Sequence, residues 1–233
     1  MILLIGPSGS GKSSFVKSLT GEIVQLNGHK PCTPECKAYK VEPIIDGRLK
    51  SFILIDTPGF VDQPEKDLKI LENIAMTLTK MAPDKVFGAI YFHNITEVRM
   101  TGTGLSVLDI FKAICGERFY PHVAFVTTMW DTIKPQFHRK FQITNTELGN
   151  GPMKLKGAPG VFRRLRDDDE CSKDVLQHFA LLSRQRATPP PLLLMMELRG
   201  EIRGEIREVG NTAAGRRILK DERSGPRICC AVM

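Results

Sequence analysis

The sequence has no run of about 20 apolar residues, which is the length that a membrane-spanning helix needs. Its apolar start is short and leads directly into glycine, so it lacks the pattern of a secretory signal. Cysteine is scarce, with six in 233 residues, and Cys32 and Cys36 have no second Cys/His pair at a spacing that would complete a metal site. We therefore expect a cytoplasmic protein with free thiols.

Basic residues outnumber acidic ones, with 33 Lys and Arg against 26 Asp and Glu and a net charge of +7. Such a surplus suits polyanions, which include nucleotide phosphates and acidic membrane surfaces. The length of 233 residues is enough for one domain with a buried core and an appendage. No nucleic-acid partner is expected.

Apolar, β-branched segments alternate with segments of helical periodicity. The predicted strands are Met1–Ile5, Ser51–Asp56, Val86–Phe92 and His122–Thr127, and the predicted helices are Lys12–Leu19, Asp67–Met81 and Leu105–Cys115. Lys37–Ile45 ends at the hairpin signal Asp46-Gly47, which predicts one antiparallel strand at the edge of the sheet. The alternation predicts an α/β fold with a mostly parallel sheet and helices on both faces.

The pattern is weaker after Asp131, where Ala158–Leu165 is predicted as a last strand and Lys173–Leu182 as a last helix. The stretch 145–160 has little helical character. We divide the chain into a main domain at 1–185, a Pro-rich linker at 186–191 and a helical, basic appendage at 192–233. The predicted helix of the appendage has an apolar stripe formed by Leu198, Ile202, Ile206 and Val209, which would dock on the domain or on another chain.

The stretch GPSGSGKS at residues 6–13 matches G-x-x-x-x-G-K-[ST] and lies between a predicted strand and a predicted helix, as a P-loop requires. Its glycines let successive N–H groups point at phosphate oxygens, and the helix adds its positive N-terminal end. Lys12 is predicted to bridge the β- and γ-phosphates, and the Ser13 hydroxyl to bind Mg²⁺. The predicted nucleotide-binding residues are Gly6, Pro7, Ser8, Gly9, Ser10, Gly11, Lys12, Ser13 and Ser14. The P-loop makes the main domain a predicted nucleotide-binding domain, and the two motifs that follow in the chain make it a predicted G domain.

A second motif, DTPG at 56–59, ends the predicted strand Ser51–Asp56. Asp56 is predicted to reach Mg²⁺ through water, and the Gly59 N–H to contact the γ-phosphate. Thr33, in the loop between the two motifs, is predicted to cap Mg²⁺ and the γ-phosphate. The catalytic candidates are Lys12, Thr33 and Gly59. A DTPG motif downstream of a P-loop favours a switch GTPase over a nucleotide kinase.

The stretch TTMWD at 127–131 lies where GTPases usually carry Asn-Lys-x-Asp. Asp131 can accept two hydrogen bonds from guanine, whereas adenine would leave this carboxylate facing the wrong edge of the base. Thr128 takes the place of the asparagine, and Met129 takes the place of the lysine. GTP or GDP with Mg²⁺ is therefore the predicted ligand.

Together these stretches resemble those of a known group. GPSGSGKSS, CTPE, DTPGF, HNITEVRMTG (93–102) and VTTMWD are similar to the motifs of fungal G-domain proteins allied to the AIG1-type, septin-like GTPases. The resemblance covers about residues 1–183. It implies a Ras-like P-loop NTPase fold, binding of GTP and Mg²⁺, and assembly across the nucleotide face, which would give a homodimer.

Phe60 occupies the position after DTPG where many GTPases carry a glutamine that orients water. Because phenylalanine cannot do so, hydrolysis is expected to be no faster than about 10⁻⁴ s⁻¹ without help from a partner or a second protomer. Two other functions stay open. One is a nucleotide-bound scaffold with negligible hydrolysis, and the other is a P-loop ATPase or nucleotide kinase.

The last four residues, CAVM, match C-a-a-X with a methionine end, which favours farnesylation of Cys230. Cys229 is a candidate for palmitoylation. Upstream of it, basic residues outnumber Asp221 and Glu222; they are Arg216, Arg217, Lys220, Arg223 and Arg227. Since one prenyl chain gives only reversible membrane binding, a second lipid or the basic residues would be needed for anchoring. The alternative is a C-terminus that matches the motif by chance.

Overall fold

Strands and helices alternate along most of the chain. The computed structural model describes residues 1–20, 35–61, 63–81, 85–96, 103–151, 153–156, 158, 161–163, 169–184, 189–198 and 208–223. The strands are β1 (Ile2–Ile5), β2 (Lys37–Val41), β3 (Ile44–Ile45), β4 (Arg48–Leu49), β5 (Phe52–Asp56), β6 (Gly88–Asn94), β7 (Val123–Thr128) and β8 (Val161–Arg163). The α-helices are α1 (Lys12–Thr20), α2 (Pro64–Lys80), α3 (Thr103–Cys115), α4 (His138–Asn150), α5 (Asp169–Arg184), α6 (Leu193–Leu198) and α7 (Ala213–Arg223).

Six strands form one sheet in the order β2-β5-β1-β6-β7-β8. Only β2 is antiparallel to its neighbour, and the other adjacent pairs are parallel. The predicted mostly parallel sheet with one antiparallel edge strand is therefore confirmed. Because the carboxyl ends of parallel strands lie along one edge, the loops after β1, β5, β6 and β7 gather there.

Two apolar clusters cover the two faces of the sheet. The residues of β1 alternate between them, with Leu3 and Ile5 in the cluster under α2 and α3. Ile2 and Leu4 lie in the cluster under α1 and α5. All four side chains are buried, which explains why the strand has an uninterrupted apolar sequence. The predicted helices on both faces are confirmed.

The hairpin at Asp46-Gly47 differs from the expectation. It joins β3 to β4 in a separate two-stranded sheet, while the strand that pairs with β5 ends at Val41. Asp46 has a positive φ of 50°, as a tight hairpin turn requires. Its carboxylate accepts a hydrogen bond from Gln177 Nε2 (3.2 Å) and lies 3.0 Å from Arg184 NH2, both on α5. The turn is therefore attached to the helix beside it.

The helix α4 is a second difference, because 145–160 was expected to have little helical character and α4 continues to Asn150. That expectation is wrong for 145–150. Phe141 is partly buried against the α2/α3 cluster, and Asn145 receives a hydrogen bond from Thr127 of β7. Tertiary contacts stabilise a helix whose own periodicity is weak.

The C-terminal helices α6 and α7 pack against α2 and α3. Leu194, Met195, Ala214 and Ile218 belong to the same apolar cluster as those two helices. The predicted apolar stripe of the appendage falls partly on 199–207, which lie outside the described residues. The domain limits at 185 and 191 stay predictions.

A buried carboxylate joins the two C-terminal helices. Glu197 at the end of α6 accepts a hydrogen bond from the Ala213 N–H at 2.7 Å, where α7 begins. Thr212 caps the same helix, since its hydroxyl oxygen accepts from the Gly215 N–H at 3.1 Å. In the described part of the chain, none of the helices combines the length and the apolar character needed to cross a bilayer.

Candidate nucleotide-binding site

The turn between β1 and α1 is closed by the ammonium group of Lys12. Lys12 Nζ donates to the carbonyl oxygens of Gly6 (3.0 Å) and Pro7 (2.9 Å), and only 5% of the residue is exposed. Ser10 N–H donates to the Pro7 oxygen at 3.3 Å inside the same turn. The loop therefore curls around a fixed positive charge, and the N-terminus of α1 adds partial positive charge there. Ser14 follows in the first turn of α1.

Gly11 lets this loop approach the strand β7. Its φ is +92°, a conformation that L-residues with a side chain rarely adopt. A Cβ atom at Gly11 would lie 3.2 Å from Thr128 Cγ2, which is tighter than ordinary contact. A larger residue would therefore push the phosphate-binding loop away from the TTMWD segment.

A hydroxyl and a carboxylate meet beside the loop. Ser13 Oγ donates to Asp56 Oδ2 at 2.7 Å, and both residues are buried. The parallel register pairs Leu4 with Asp56, which brings the end of β5 next to the P-loop. Hydroxyl and carboxylate oxygens are the ligand types that Mg²⁺ prefers, so these residues fit the predicted Mg²⁺ site. Thr33, the third predicted ligand, lies outside the described residues.

The DTPGF segment is joined to the P-loop by backbone hydrogen bonds. Ser8 N–H donates to the Phe60 oxygen at 2.9 Å, and Phe60 N–H donates to the Gly6 oxygen at 3.3 Å. A Cβ atom at Gly59 would lie 2.4 Å from Ser8 Cα, so only glycine allows the approach. We call this pair of hydrogen bonds, with the Gly59–Ser8 contact, the backbone strap.

Phe60 also has a structural role that the sequence around it does not indicate. Its side chain is 1% exposed and belongs to the apolar cluster under α2 and α3. The segment continues into α2 through Asp67, whose Oδ1 accepts from the Val61 N–H at 2.8 Å. An aspartate in the first turn of a helix is the only sequence signal for this contact.

The TTMWD segment begins with a hydroxyl that reaches the P-loop. Thr128 Oγ1 lies 2.9 Å from the Ser10 oxygen and 3.3 Å from the His93 oxygen, and it donates to one of them. Met129 then takes a left-handed conformation with φ of 63°, which turns the chain into a short 3-10 turn at Trp130–Thr132. Asp131 is exposed in this turn, as a carboxylate that reads a base should be.

His93 is buried next to the point where these segments meet. Neither ring nitrogen has a hydrogen-bond partner among the described residues, and burial lowers its pKa to about 4. The ring is therefore neutral at pH 7. In the sequence His93 is the first residue of HNITEVRMTG, and nothing in that pattern indicates its burial at the site.

The structure brings most of the predicted site residues to one edge of the sheet. Residues 6–14, Asp56, Gly59 and Thr128 are adjacent, and Asp131 lies in the loop that follows Thr128. Thr33 and Cys230 lie outside the described residues. The roles of all these residues in binding and catalysis stay predictions.

Sequence comparison finds similarity to one GTPase family and to two known proteins. Residues 1–94 match the model of a family described as 50S ribosome-binding GTPase. GTP-binding protein A of Dictyostelium discoideum is 25% identical over 134 residues, which are 58% of this chain and 29% of that protein. Cell division control protein 11 of Encephalitozoon cuniculi (strain GB-M1) is 45% identical over 60 residues, which are 25% of this chain and 21% of that protein. The chain thus spans less than a third of either relative.

Solved structures share the fold at low sequence identity. Toc33 from Arabidopsis thaliana in complex with GDP and Mg²⁺ has a TM-score of 0.58 and 19% identity, covering 82% of this chain and 86% of that chain. A further structure has a TM-score of 0.57 and 18% identity over 81% of this chain and 85% of that one. It is described by the statement that dimerization is important for the GTPase activity of chloroplast translocon components atToc33 and psToc159. The fold is a Ras-like P-loop GTPase fold.

Proposed function

We propose that the chain binds GTP and GDP with Mg²⁺ and acts as a switch protein that hydrolyses GTP slowly. The observation that carries the proposal is the convergence of Lys12, the Ser13–Asp56 pair and Gly59 at the end of β1 and β5. GTP binding by the Dictyostelium relative and the GDP and Mg²⁺ held by Toc33 support it. The motifs also support a place among AIG1-type, septin-like GTPases.

The phosphates would lie in the curl of residues 6–13, with Lys12 Nζ exchanging its carbonyl partners for β- and γ-phosphate oxygens. Mg²⁺ would be held by Ser13, by Asp56 through water and by Thr33, and it would neutralise charge on the phosphates. Gly59 N–H would contact the γ-phosphate. These groups position and neutralise GTP without a general base.

The first experiment measures GTP, GDP and ATP binding to the Lys12→Ala variant by calorimetry. Loss of two to three charge-assisted hydrogen bonds should weaken GTP binding by at least about 100-fold. Lys17→Ala is the matched control, because Lys17 is exposed on the same helix. Unchanged GTP affinity in Lys12→Ala would disprove the P-loop assignment, and equal affinity for ATP and GTP in the wild type would favour an ATPase or a kinase.

The base specificity is assigned to Asp131. Asp131→Asn should cost about 1–3 kcal/mol of GTP binding and should raise affinity for xanthosine nucleotides, because it inverts the donor and acceptor pattern. Asp174→Asn, an exposed position on α5, is the control. A wild-type preference for guanine in Asp131→Asn would mean that a different residue reads the base.

Slow hydrolysis follows from Phe60. Its side chain is buried, and its N–H and carbonyl are used in the backbone strap, so it does not orient water. We propose that a second copy of the chain completes the site across the nucleotide face. The statement on dimerization of atToc33 and psToc159 supports this by analogy.

The test follows specific activity with protein concentration, together with molar mass by light scattering in GDP and in a GTP analogue. Activity per molecule should rise with concentration, and the analogue should favour dimers. A constant specific activity from a monomer in every nucleotide state would reject dimer assistance. Negligible turnover with intact GTP binding would favour the nucleotide-bound scaffold.

We also propose that this is a cytoplasmic protein that reaches membranes through a farnesyl group on Cys230. The motif CAVM and its basic surroundings support this. The test incubates the full chain with farnesyltransferase and farnesyl diphosphate, followed by mass measurement and partition onto anionic vesicles. Cys230→Ser is the control, and an unmodified wild-type chain would reject the proposal.

A further inference from the structure

The turn that carries Asp131 is fixed by the hydroxyl group of a buried threonine, Thr127. Thr127, the fully buried neighbour of Thr128, has its Oγ1 atom 3.1 Å from the indole nitrogen of Trp130, which donates to it. The same hydroxyl lies 2.8 Å from Asn145 Oδ1 of α4 and 3.3 Å from the Phe162 oxygen of β8. Because a hydroxyl has one hydrogen, the shorter contact takes it, and a hydrogen-bond relay runs from Trp130 through Thr127 to Asn145.

The relay fixes the residue directly before Asp131. Trp130 is 1% exposed, and its ring lies in the apolar cluster under α2 and α3. A buried ring with its only polar atom paired cannot rotate or slide without losing a hydrogen bond. The backbone of Asp131 is thereby anchored on its N-terminal side.

The C-terminal side of the turn is also held. Thr132 Oγ1 donates to the Met129 oxygen at 2.7 Å, and Ile133 N–H donates to the Trp130 oxygen at 3.3 Å. Met129 takes a left-handed conformation that is unfavourable for a side chain of its size. Such a conformation persists only where its surroundings determine it, which is what these contacts do.

We infer that Thr127, supported by Asn145, is the positioning residue that sets guanine specificity by fixing Trp130 and so Asp131. This rests on the proposed reading of guanine by Asp131. Two parallel hydrogen bonds to a base need the carboxylate within about 0.5 Å of its proper place. Adenine makes no such pair with a carboxylate, so its binding depends on the P-loop and is insensitive to the relay.

The experiment uses Thr127→Val in the full chain, because valine keeps the shape and removes the hydroxyl. Calorimetry with GDP and ADP should show GDP binding about tenfold weaker and ADP binding unchanged, which is the loss expected for one misplaced polar pair. Trp130 is the only tryptophan of the chain, so its emission reports the relay directly. The emission of Thr127→Val should differ from that of the wild type.

Thr127→Ser restores the hydroxyl and should restore both GDP selectivity and emission. Asn145→Ala, at a half-buried position, should weaken GDP binding in the same direction and serves if Thr127→Val does not fold. Thr146→Val is the matched control, because Thr146 is exposed on α4 and its hydroxyl donates to the Gln142 oxygen of the preceding turn of that helix. This control should leave both readouts unchanged.

Two results would overturn the inference. One is an equal loss of GDP and ADP affinity in Thr127→Val, which indicates general loosening, and the other is wild-type selectivity with altered emission. The Asp131→Asn variant distinguishes a failure of this inference from a failure of the proposed function. If Asp131→Asn weakens GDP binding and Thr127→Val does not, only the relay fails. If Asp131→Asn has no effect while Lys12→Ala abolishes binding, base reading by Asp131 fails and the inference fails with it.

Discussion

The phosphate end and the base end of the candidate site are built in different ways. The phosphate end, formed by residues 6–14 and 56–60, is held mostly by backbone atoms, including the backbone strap and the Lys12 contacts to two carbonyls. The base end is held by side chains of β7, of the turn after it and of α4, namely Thr127, Trp130 and Asn145. The shape of a backbone-built site depends mainly on its glycines, whereas the shape of a side-chain-built site changes with single hydroxyl groups.

The largest expected effect lies at the phosphate end. Gly59→Ala places a Cβ atom 2.4 Å from Ser8 Cα, where no flexible side chain can yield. We expect a loss of about 2–3 kcal/mol in the free energy of unfolding, measured by chemical denaturation, together with weaker GTP binding. Gly210→Ala is the control, because its Cβ would meet only Leu219 Cδ1 at an ordinary 3.8 Å. If both variants were equally stable, the backbone strap would not exist in solution, and backbone contacts would not hold the phosphate end.

The intermediate effect is a loss of stability at acidic pH, caused by His93, which lies where the phosphate end and the base end meet. Burial lowers the pKa of His93 to about 4 from a usual 6.5, so the unfolded chain takes up a proton first as the pH falls. The His93 ring therefore does not change the free energy of unfolding above about pH 6.5. Between pH 6.5 and 4 it lowers this free energy by at most about 1.4 kcal/mol per pH unit. His122 and His178 act in the same direction, since burial lowers their pKa values as well.

The measurement compares unfolding free energies across this pH range for the wild type and for His93→Leu. The leucine variant should lose less stability on acidification, because the buried ring that resists protonation is gone. Met76→Leu, at an exposed position on α2 with no titratable group, is the control and should keep the wild-type profile. An identical profile for His93→Leu and the wild type would mean that His93 is not buried in the neutral form.

The smallest expected effect is at the one side-chain hydrogen bond described above that joins the two ends. Thr128→Val removes a hydroxyl 2.9 Å from the Ser10 oxygen. We expect a loss of about 1 kcal/mol in nucleotide binding that is equal for GDP and ADP, because the change acts on the phosphate loop. Thr79→Val, exposed on α2, is the control. A loss of affinity for GDP alone would show that Thr128 acts on the base and not on the phosphate loop.

The same difference explains what could be predicted from the sequence. The P-loop and DTPG are contiguous motifs next to uniformly apolar strands, so their place at one sheet edge follows from strand order. Thr127 and Asn145 are 18 residues apart, and no local pattern indicates that their side chains meet. Phe60 was interpreted through the glutamine it replaces, whereas its burial depends on α2 and α3.

Secondary structure, too, could be predicted only where the local sequence reflects the contacts that the element makes. Strand β1 is apolar on both faces and was predicted closely, since burial on both faces requires that composition. Helix α4 was not predicted, because its sequence, HRKFQITNTELGN, is polar and contains β-branched residues with low helix propensity. Its stability comes from contacts with β7 and β8, which the sequence does not display.

The packing of α6 and α7 on α2 and α3 has a practical consequence for handling the protein. A fragment that stops at the proline segment would lose Leu192, Leu194, Met195, Ala214 and Ile218 from the shared apolar cluster. The remaining surface of α2 and α3 would then present apolar side chains to water, and such patches promote aggregation during expression. Recombinant fragments intended for biochemistry should therefore extend at least to Arg223.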